Sequence, residues 1–376
     1  MTGPLKGIRI IEFAGIGPAP FAAMMLADHG ADMIRIERPG GSLDPRDPLS
    51  RNRKSIILNT KTDAGKGVAR DLCRRADGLI EGYRPGVMER LGLGPDTLLA
   101  DNPALVYGRM TGWGQFGPYS QAAGHDINYI ALSGVLHTIG RAGDRPVPPV
   151  NYLGDFGGGG MMLAYAMVSA LLAVKMGGQG QVIDCAMTDG SALLAGMSWH
   201  MLATGMNTDA PGTNMLDGAA HFYDTYECAD GKWISIGSIE PQFYALLRHH
   251  AGVVEDRAFD AQHDREAWPD LKMRLAAIFK SKTRDQWCMI MEGTDVCFAP
   301  VLSMREAPLH PHNIARKTFV EIGGAIQPAP APRYSATVND GPQPAPVAGA
   351  DSSAILAALG YDDAEILRLG DAGAFS

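Results

Sequence analysis

Cysteine is scarce in this chain of 376 residues, and its five cysteines are scattered without any C-x-x-C spacing. Neither a disulfide framework nor a cysteine-based zinc site is therefore indicated. A basic excess is also lacking, because the formal net charge is −8, whereas a nucleic-acid binder needs a cationic face. The histidines lack the i, i+4 spacing of zinc ligands. We therefore expect neither a metal site nor a nucleic-acid partner.

Long apolar runs and targeting signals are not evident in the sequence. No apolar run is expected to approach the 18 residues of a membrane span, and residues 1–5 lack the charged and apolar regions of a signal peptide. We therefore expect a cytoplasmic protein without a membrane partner. The length exceeds what one hydrophobic core usually serves, so two domains are expected.

Short β-branched runs alternate with helical stretches through the first two hundred residues, which predicts an α/β fold with a mainly parallel sheet. The predicted strands are 8–13, 33–36, 55–58, 78–80, 105–109 and 182–186, and the predicted helices include 21–29, 127–135, 159–175 and 191–204. Near residue 220 the pattern changes to a hairpin, 222–227 with 232–237, and Asp230-Gly231 supplies its turn. Helices are then predicted at 242–250, 268–280 and 284–291, a strand at 296–302, an extended proline-rich connector at 323–350 and short helices within 353–369.

The segment Gly15-Ile16-Gly17 follows a predicted strand, opens a helix and precedes Glu37 by about twenty residues, as in a dinucleotide fingerprint. The third glycine of that fingerprint is missing, and Pro20 occupies its place. A tight turn between strand and helix explains the glycines equally well. We do not expect a nicotinamide or flavin cofactor.

Basic residues are concentrated in residues 35–90, where thirteen Lys or Arg and eight Asp or Glu give +5 while the rest of the chain carries −13. This asymmetry indicates a phosphate-bearing ligand. The best candidates follow predicted strands, where α/β sheets bind ligands: Arg38, Lys61 and Arg84, with Arg90 a turn and a half later. Arginine suits phosphate because its planar fork donates two parallel hydrogen bonds, although each residue alone is also typical of a solvated surface.

Two candidate proton carriers stand beside glycines at predicted helix starts: His125 in residues 124–129 and Asp155 in residues 154–160. Two rigidly held titratable groups can remove a proton from one face of a carbon and return one to the other. Each residue alone is also typical of a helix cap, and Asp126 is interpreted as a plain cap. Backbone N–H groups of the glycines after Asp155 are expected to stabilise an oxyanion.

Several segments together resemble the family III CoA-transferase superfamily and, within it, the α-methylacyl-CoA racemase branch. They are residues 35–38, 82–86, 109–114, 124–129, 154–159 and 239–244, and the resemblance spans nearly the whole chain. It implies a Rossmann-like large domain built from both chain ends, a smaller α+β domain, and an interlocked homodimer whose active site lies between the large domain of one chain and the small domain of its partner. The expected boundaries are 1–190 and 330–376 for the large CoA-binding domain, 218–305 for the small domain, and 191–217 and 306–329 for the linkers.

The resemblance also assigns residue roles. It assigns catalysis to His125 and Asp155, with Glu240 supporting the histidine. It assigns CoA contacts to Arg38, Leu58, Asn59, Thr60, Lys61, Gly82, Tyr83, Arg84, Arg90, Gly124, His125, Asp126, Ile127, Asn128 and Tyr129. Residues 58–61 read Leu-Asn-Thr-Lys where racemases often have Ala-Asp-Leu-Lys, which leaves the adenosine contacts open.

The activity that the resemblance implies is interconversion of (2R)- and (2S)-2-methylacyl-CoA by 1,1-proton transfer through an enolate. CoA is then part of the substrate, and no separate cofactor is expected. Two alternatives stay open: a CoA-transferase that moves CoA between carboxylates through an anhydride on Asp155, and a non-catalytic acyl-CoA-binding protein. His125 favours the racemase, because transferases of this type lack a histidine there, whereas residues 359–366 resemble a transferase tail.

Overall fold

The computed structural model of the chain describes residues 2–338 and 341–376, which form two compact units. Unit 1 consists of the described parts of Met1–Ser133, Val150–Leu194 and Ile314–Ser376, and unit 2 consists of Gly134–Pro149 and Ala195–Asn313. The contacts thus assign residues 134–149, 195–217 and 306–313 to unit 2, and residues 191–194 and 314–329 to unit 1. The expected boundaries placed these segments in the large domain or in the linkers.

In chain order, the strands are β1 (Arg9–Phe13), β2 (Asp32–Glu37), β3 (Lys54–Ile57), β4 (Gly78–Glu81), β5 (Val106–Thr111), β6 (Val182–Ala186), β7 (Tyr223–Glu227), β8 (Trp233–Gly237), β9 (Phe298–Val301), β10 (Phe319–Ile322) and β11 (Ala325–Pro328). The α-helices are α1 (Pro18–Asp28), α2 (Asp63–Arg74), α3 (Val87–Arg90), α4 (Pro95–Asp101), α5 (Asp126–Leu132), α6 (Met162–Lys175), α7 (Met187–Leu194), α8 (Gly196–Ala203), α9 (Pro241–Ala251), α10 (Trp268–Phe279), α11 (Arg284–Met291), α12 (Pro311–Arg316), α13 (Ser352–Leu359) and α14 (Asp363–Asp371). A π-helix, Tyr152–Met161, leads directly into α6.

A six-stranded parallel sheet in the order β3-β2-β1-β4-β5-β6 organises unit 1. The register places Ile11 beside Ile34 on β2 and beside Leu79 on β4. The predicted α/β fold with a parallel sheet is confirmed. Because the strands run in one direction, the loops that follow β2, β3 and β4 leave the sheet at the same edge.

Both faces of this sheet are covered, and the strand sequences alternate accordingly. Ile11 and Tyr107 belong to a core layer that includes residues of α2 and α13, whereas Ile10 and Val106 belong to a second layer that includes residues of α1 and α6. Successive strand residues point to opposite faces, so each strand supplies apolar side chains to both layers. The central strands are consequently fixed on both sides.

The π-helix and α6 together form one continuous apolar helix, Tyr152–Lys175. It is 24 residues long, an 18-residue window within it has a mean hydropathy of 1.6, and residues 156–174 carry no charged side chain. The expectation that no apolar run approaches 18 residues is therefore wrong. Its length and composition fit a membrane span and fit equally the core helix of a soluble protein. Leu163, Met167 and Leu171 are buried in the second core layer.

Unit 2 is built around an antiparallel sheet in the order β7-β8-β9. The predicted hairpin is present, and Gly231 adopts the left-handed conformation (φ 75°) that its turn requires. Phe222, Trp268 and Trp287 are central members of the core of this unit. The sheet and helices α9, α10 and α11 therefore have a hydrophobic core of their own.

The predicted connector 323–350 is only partly extended, because its start forms a hairpin. β10 and β11 pair antiparallel across Gly323-Gly324, and both glycines have positive φ. A Gly-Gly pair is a standard turn signal, which the proline-rich composition concealed. Residues 339–340 of the predicted connector lie outside the described residues. The short helices expected within 353–369 correspond to α13 and α14.

Candidate active site

His125 stands immediately before α5 with its side chain exposed. Its backbone is extended (φ −133°, ψ 173°), and its N–H donates to Asn128 Oδ1 at 3.0 Å. Beneath it, the buried Tyr129 donates its hydroxyl to the carbonyl of Gly124. Asn128 thus caps the helix, and the histidine is held on a rigid frame with its imidazole facing solvent.

Asp155 lies in the first turn of the π-helix, and its side chain is half-buried. Asn151 Nδ2 donates to Asp155 Oδ2 at 3.0 Å. The backbone N–H of Asp155 donates to Asp126 Oδ1 at 2.7 Å. This last hydrogen bond joins the start of the π-helix to the start of α5, so the segments that carry His125 and Asp155 are directly connected.

Several effects act on the Asp155 carboxyl, and their sum raises its pKa above the ordinary value. Burial is the largest cause; the hydrogen bond from Asn151 opposes it, the charge of Asp126 adds to it, and the charge of His125 opposes it. Asp155 therefore keeps a proton to higher pH than an exposed aspartate does.

The glycine run Gly157–Gly160 has a packing role that the sequence did not reveal. A Cβ on Gly158 would lie 2.5 Å from the backbone nitrogen of Ser191, and one on Gly160 would lie 2.6 Å from Phe21. The reciprocal contact is tighter, since a Cβ on Gly190 would lie 1.8 Å from the carbonyl oxygen of Gly158. The glycines thus let the π-helix pack directly against α1 and α7.

The expected oxyanion site differs from the observed geometry. Because the helix begins at Tyr152, the glycines after Asp155 lie within it rather than at its start. The N–H group of Asp155 itself is occupied by Asp126 Oδ1. Free donors at a helix N-terminus come from its first turn, so the expectation that the glycine N–H groups after Asp155 receive the oxyanion is wrong.

The four predicted phosphate-binding cations are all exposed. Arg38 directly follows β2, Lys61 lies between β3 and α2, and Arg84 lies between β4 and α3, which ends at Arg90. Each of these loops leaves the same edge of the parallel sheet. The arrangement leaves their charged groups available to an anionic ligand at that edge.

The predicted adenosine segment, residues 58–61, is already in contact with other parts of unit 1. Leu58 is 1% exposed and packs in the core, so its side chain is not available to a ligand. The backbone N–H of Asn59 donates to the carbonyl of Ala374 at 2.7 Å, and its side-chain amide donates to the backbone oxygen of Ser376 at 2.6 Å. Thr60 is partly exposed and Lys61 is exposed.

The remaining predicted residues have mixed positions. Gly82 is exposed and Tyr83 is partly buried, with its hydroxyl donating to the carbonyl of Ala14 at 3.3 Å. Ile127 on α5 is exposed. Glu240 belongs to unit 2, where it directly precedes α9. Its predicted support of His125 stays a prediction.

Sequence reasoning missed a buried ionic network behind these loops. Arg35 Nη1 donates to Glu12 Oε1 at 2.6 Å, Arg53 Nε donates to Glu12 Oε2 at 2.9 Å, and Arg35 also pairs with Glu37. All four side chains are almost fully buried. Charged residues inside otherwise apolar strands were the available signal, because buried charges are found paired.

Unit 2 contains a cavity of about 1060 Å³. Apolar side chains of α8, namely Met197, Trp199, Met201 and Leu202, form part of its lining. The lining also contains charged side chains: Arg141 Nη1 lies 2.7 Å from Asp224 Oδ1. Such a mixed lining fits a ligand with a bulky apolar part. Within the described residues, no group of three or more His, Cys, Asp or Glu side chains could hold a metal ion.

The chain belongs to CoA-transferase family III, whose model matches residues 5–352. It is 45% identical over 367 residues to the α-methylacyl-CoA racemase of Mus musculus, covering 97% of this chain and 96% of that one. It is 42% identical over 370 residues to the α-methylacyl-CoA racemase of Homo sapiens, with the same coverage. A crystal structure of a CaiB/BaiF family protein from Brucella suis is similar with a TM-score of 0.82 and 25% identity, covering 96% of this chain and all of that one.

Proposed function

We propose that this protein is an isomerase that interconverts (2R)- and (2S)-2-methylacyl-CoA thioesters. The observation that carries the proposal is the hydrogen bond from the Asp155 N–H to Asp126 Oδ1, which joins the segments that bear His125 and Asp155. The racemases of mouse and human, 45% and 42% identical over nearly the whole chain, support the same activity. A transferase that uses one carboxylate nucleophile has no need of the second group.

The α-hydrogen of a thioester is a weak acid, so its removal needs a positioned base and leaves an enolate. In one direction neutral His125 takes the proton and protonated Asp155 delivers another to the opposite face of the same carbon. In the reverse direction the Asp155 carboxylate is the base and the His125 imidazolium is the acid. The raised pKa of Asp155, caused chiefly by burial, favours the protonated carboxyl that the first direction requires.

CoA enters this proposal as part of the substrate, and the reaction uses no separate cofactor. Arg38, Lys61, Arg84 and Arg90 are proposed to bind its phosphates, which their exposure and their position after the strands support. Asn59 is bonded to the C-terminal segment, so its proposed contact with adenosine requires either a shared or an exchanged hydrogen bond.

We further propose that unit 1 is a Rossmann-like domain and that the protein is a homodimer. The strand order β3-β2-β1-β4-β5-β6 supports the Rossmann-like domain, because it is the order of doubly wound dinucleotide-binding sheets. Exposed apolar side chains on α6, including Tyr165 and Leu172, support the homodimer, because monomeric proteins rarely expose contiguous apolar surface. A solution mass near twice 40.0 kDa is expected, and a mass of one chain would contradict the dimer.

The activity is tested by incubating the protein with one enantiomer of a 2-methylacyl-CoA in D₂O. The proposal expects deuterium at the α-carbon together with loss of optical purity. Transfer of CoA to an added carboxylate without α-exchange would instead indicate the transferase, and binding without any reaction would indicate an acyl-CoA-binding protein. A matched sample of denatured protein controls for spontaneous exchange.

A further inference from the structure

The Asp126 carboxylate is buried in a way that a plain helix cap does not explain. Asp126 is 6% exposed, and its Oδ1 accepts the hydrogen bond from the Asp155 N–H at 2.7 Å. Its Oδ2 is buried and has no hydrogen-bond partner among the described residues. An unpaired, buried carboxylate oxygen is unfavourable for folding, so its retention calls for a reason in function.

The contact between the two segments is close and leaves no room for adjustment. A Cβ on Gly154, the residue before Asp155, would lie 2.6 Å from Asp126 Oδ1 and 2.9 Å from its carboxyl carbon. Only glycine therefore lets the main chain approach this carboxylate. Asp126 adjoins His125 in sequence and bonds Asp155 directly, so it fixes both proton carriers in one frame.

Residues of two neighbouring segments act on the protonation of the Asp155 carboxyl. From the start of α5 the charges of Asp126 and His125 act on it, and the negative charge of Asp126 raises its pKa. From the residue before the π-helix, Asn151 donates a hydrogen bond that stabilises the ionised carboxylate. Asp126 and Asn151 therefore act on the protonation of Asp155 with opposite signs.

We propose that Asp126 is a positioning residue that fixes the main chain of Asp155 relative to His125 and keeps a negative charge beside the Asp155 carboxyl. This inference rests on the proposed function. Asp155 gives its proton to the α-carbon and becomes a carboxylate, while His125 takes the proton from the other face. Asp126 exchanges no proton in this step, and its charge favours the protonated form of Asp155 from which delivery starts.

The test compares pH profiles of kcat/KM for racemisation. At low pH both His125 and Asp155 are protonated and no base is present, so the acid limb of the profile reports the loss of the active form. Asp126→Asn removes the charge but keeps a side-chain oxygen for the Asp155 N–H, and the acid limb should move to lower pH by about 0.5–1 unit. Asn151→Ala removes the opposing hydrogen bond, and the limb should move to higher pH.

One further variant separates the effect of the Asp126 charge from its effect on the position of Asp155, and a second variant serves as its control. Asp126→Ala loses both the charge and the acceptor, so kcat should fall by roughly 10- to 100-fold below that of Asp126→Asn, with a smaller change in KM. Asp371→Asn is the matched control, because it removes an exposed aspartate at the end of α14, away from α5, α7 and the π-helix. Its pH profile should coincide with that of the unmodified protein.

A purely structural role for Asp126 would lower the rate equally at every pH. The inference is overturned if the acid limbs of Asp126→Asn and Asn151→Ala coincide with that of the unmodified protein, or if both move in the same direction. Should Asp126→Ala fail to fold, these two variants still decide the question. Absence of α-proton exchange in the unmodified protein would overturn the proposed function instead, so the two failures are distinguishable.

Discussion

Arg109 on β5 holds Glu89 on α3 with two parallel hydrogen bonds, Nη1 to Oε1 at 2.8 Å and Nη2 to Oε2 at 3.3 Å. The same guanidinium donates through Nε to Glu81 Oε1 at 3.0 Å, and Glu81 Oε2 accepts the Tyr83 N–H at 2.7 Å. Residues 82–90 are therefore fixed near both ends. Burial raises the pKa of Glu81 to about 7, and the neighbouring Arg109 and Tyr83 N–H oppose that rise.

Glu89→Gln should weaken binding of CoA thioesters without changing the chemistry. The substitution removes the charge that Arg109 holds, so the loop with Arg84 and Arg90 loses one of its two attachments. We expect KM to rise roughly 3- to 10-fold with kcat nearly unchanged, because immobilising the loop then adds to the cost of binding. Steady-state kinetics with one 2-methylacyl-CoA measures both constants. Glu321→Gln, an exposed site on β10, is the control, and an equal rise in KM there would contradict the explanation.

His125→Ala and Asp155→Ala should each abolish most of the racemisation. General acid-base catalysis contributes about 10²- to 10⁴-fold per group, so each variant should lose at least that much in kcat. Neither side chain is proposed to bind the CoA phosphates, and the dissociation constant for CoA should stay within a few-fold. Chiral analysis of the product and calorimetric titration with CoA measure the two effects. Asp371→Ala, exposed at the end of α14, serves as the control; full activity in either catalytic variant would remove that residue from the mechanism.

Unit 2 should lose stability in mild acid because of His221. This residue is fully buried, its Nε2 lies 2.7 Å from the hydroxyl of Tyr244, and that hydroxyl donates to the carbonyl of Phe259. Burial, assisted by Lys272 and His263, lowers its pKa from 6.5 to about 4. Between those values the unfolded chain binds a proton that the folded unit does not, so the free energy of unfolding falls as the pH falls through this window.

The matched variants for this prediction are His221→Gln and His249→Gln, of which the second alters an exposed histidine on α9. Urea unfolding followed by tryptophan fluorescence from pH 7.5 to pH 4 should show a smaller decrease for His221→Gln than for the unmodified protein, by on the order of 3 kcal/mol at most. His249→Gln should keep the full decrease. Identical slopes for all three proteins would show that His221 does not control the acid sensitivity.

Gly190→Ala should destabilise unit 1, since the new methyl group would collide with the backbone at Gly158. This clash is relieved only if α7 and the π-helix move apart. We therefore expect a loss of about 2 kcal/mol or more in the free energy of unfolding. Gly67→Ala on α2 is the opposite control, because nothing lies within 4 Å of its Cβ position and a helical alanine should stabilise by roughly 0.5–1 kcal/mol. Equal unfolding midpoints for the two variants would contradict the close packing.

Local patterns in the sequence predicted the sheet well. The six strands of unit 1 lie within two residues of their predicted bounds, and the turn at Asp230-Gly231 is where the pattern placed it. Alternation of apolar residues and turn chemistry are properties of neighbouring residues, so the sequence displays them directly. The exposed cations after β2, β3 and β4 were predictable for the same reason.

Features that depend on contacts between distant segments were not predictable in this way. The hydrogen bond from Asp155 to Asp126 joins residues 29 positions apart, and the interpretation of Asp126 as a plain cap therefore missed its partner. The glycine run after Asp155 was interpreted as an anion site, whereas its close neighbours are α1 and α7. The π-helix was expected to begin seven residues later, because glycine has a low helix propensity and only tertiary packing overrides it.

The order in which the chain contributes to its two units has a consequence for folding. The chain passes between the units four times, and unit 1 is completed only by Ile314–Ser376, whose helix α13 supplies Ile355 and Leu359 to one face of the sheet. During synthesis that apolar face of the sheet therefore stays exposed to solvent until the last segment has been made. A fragment that stops at Asn313 should aggregate rather than fold, whereas co-expression with the missing segment offers a way to restore it.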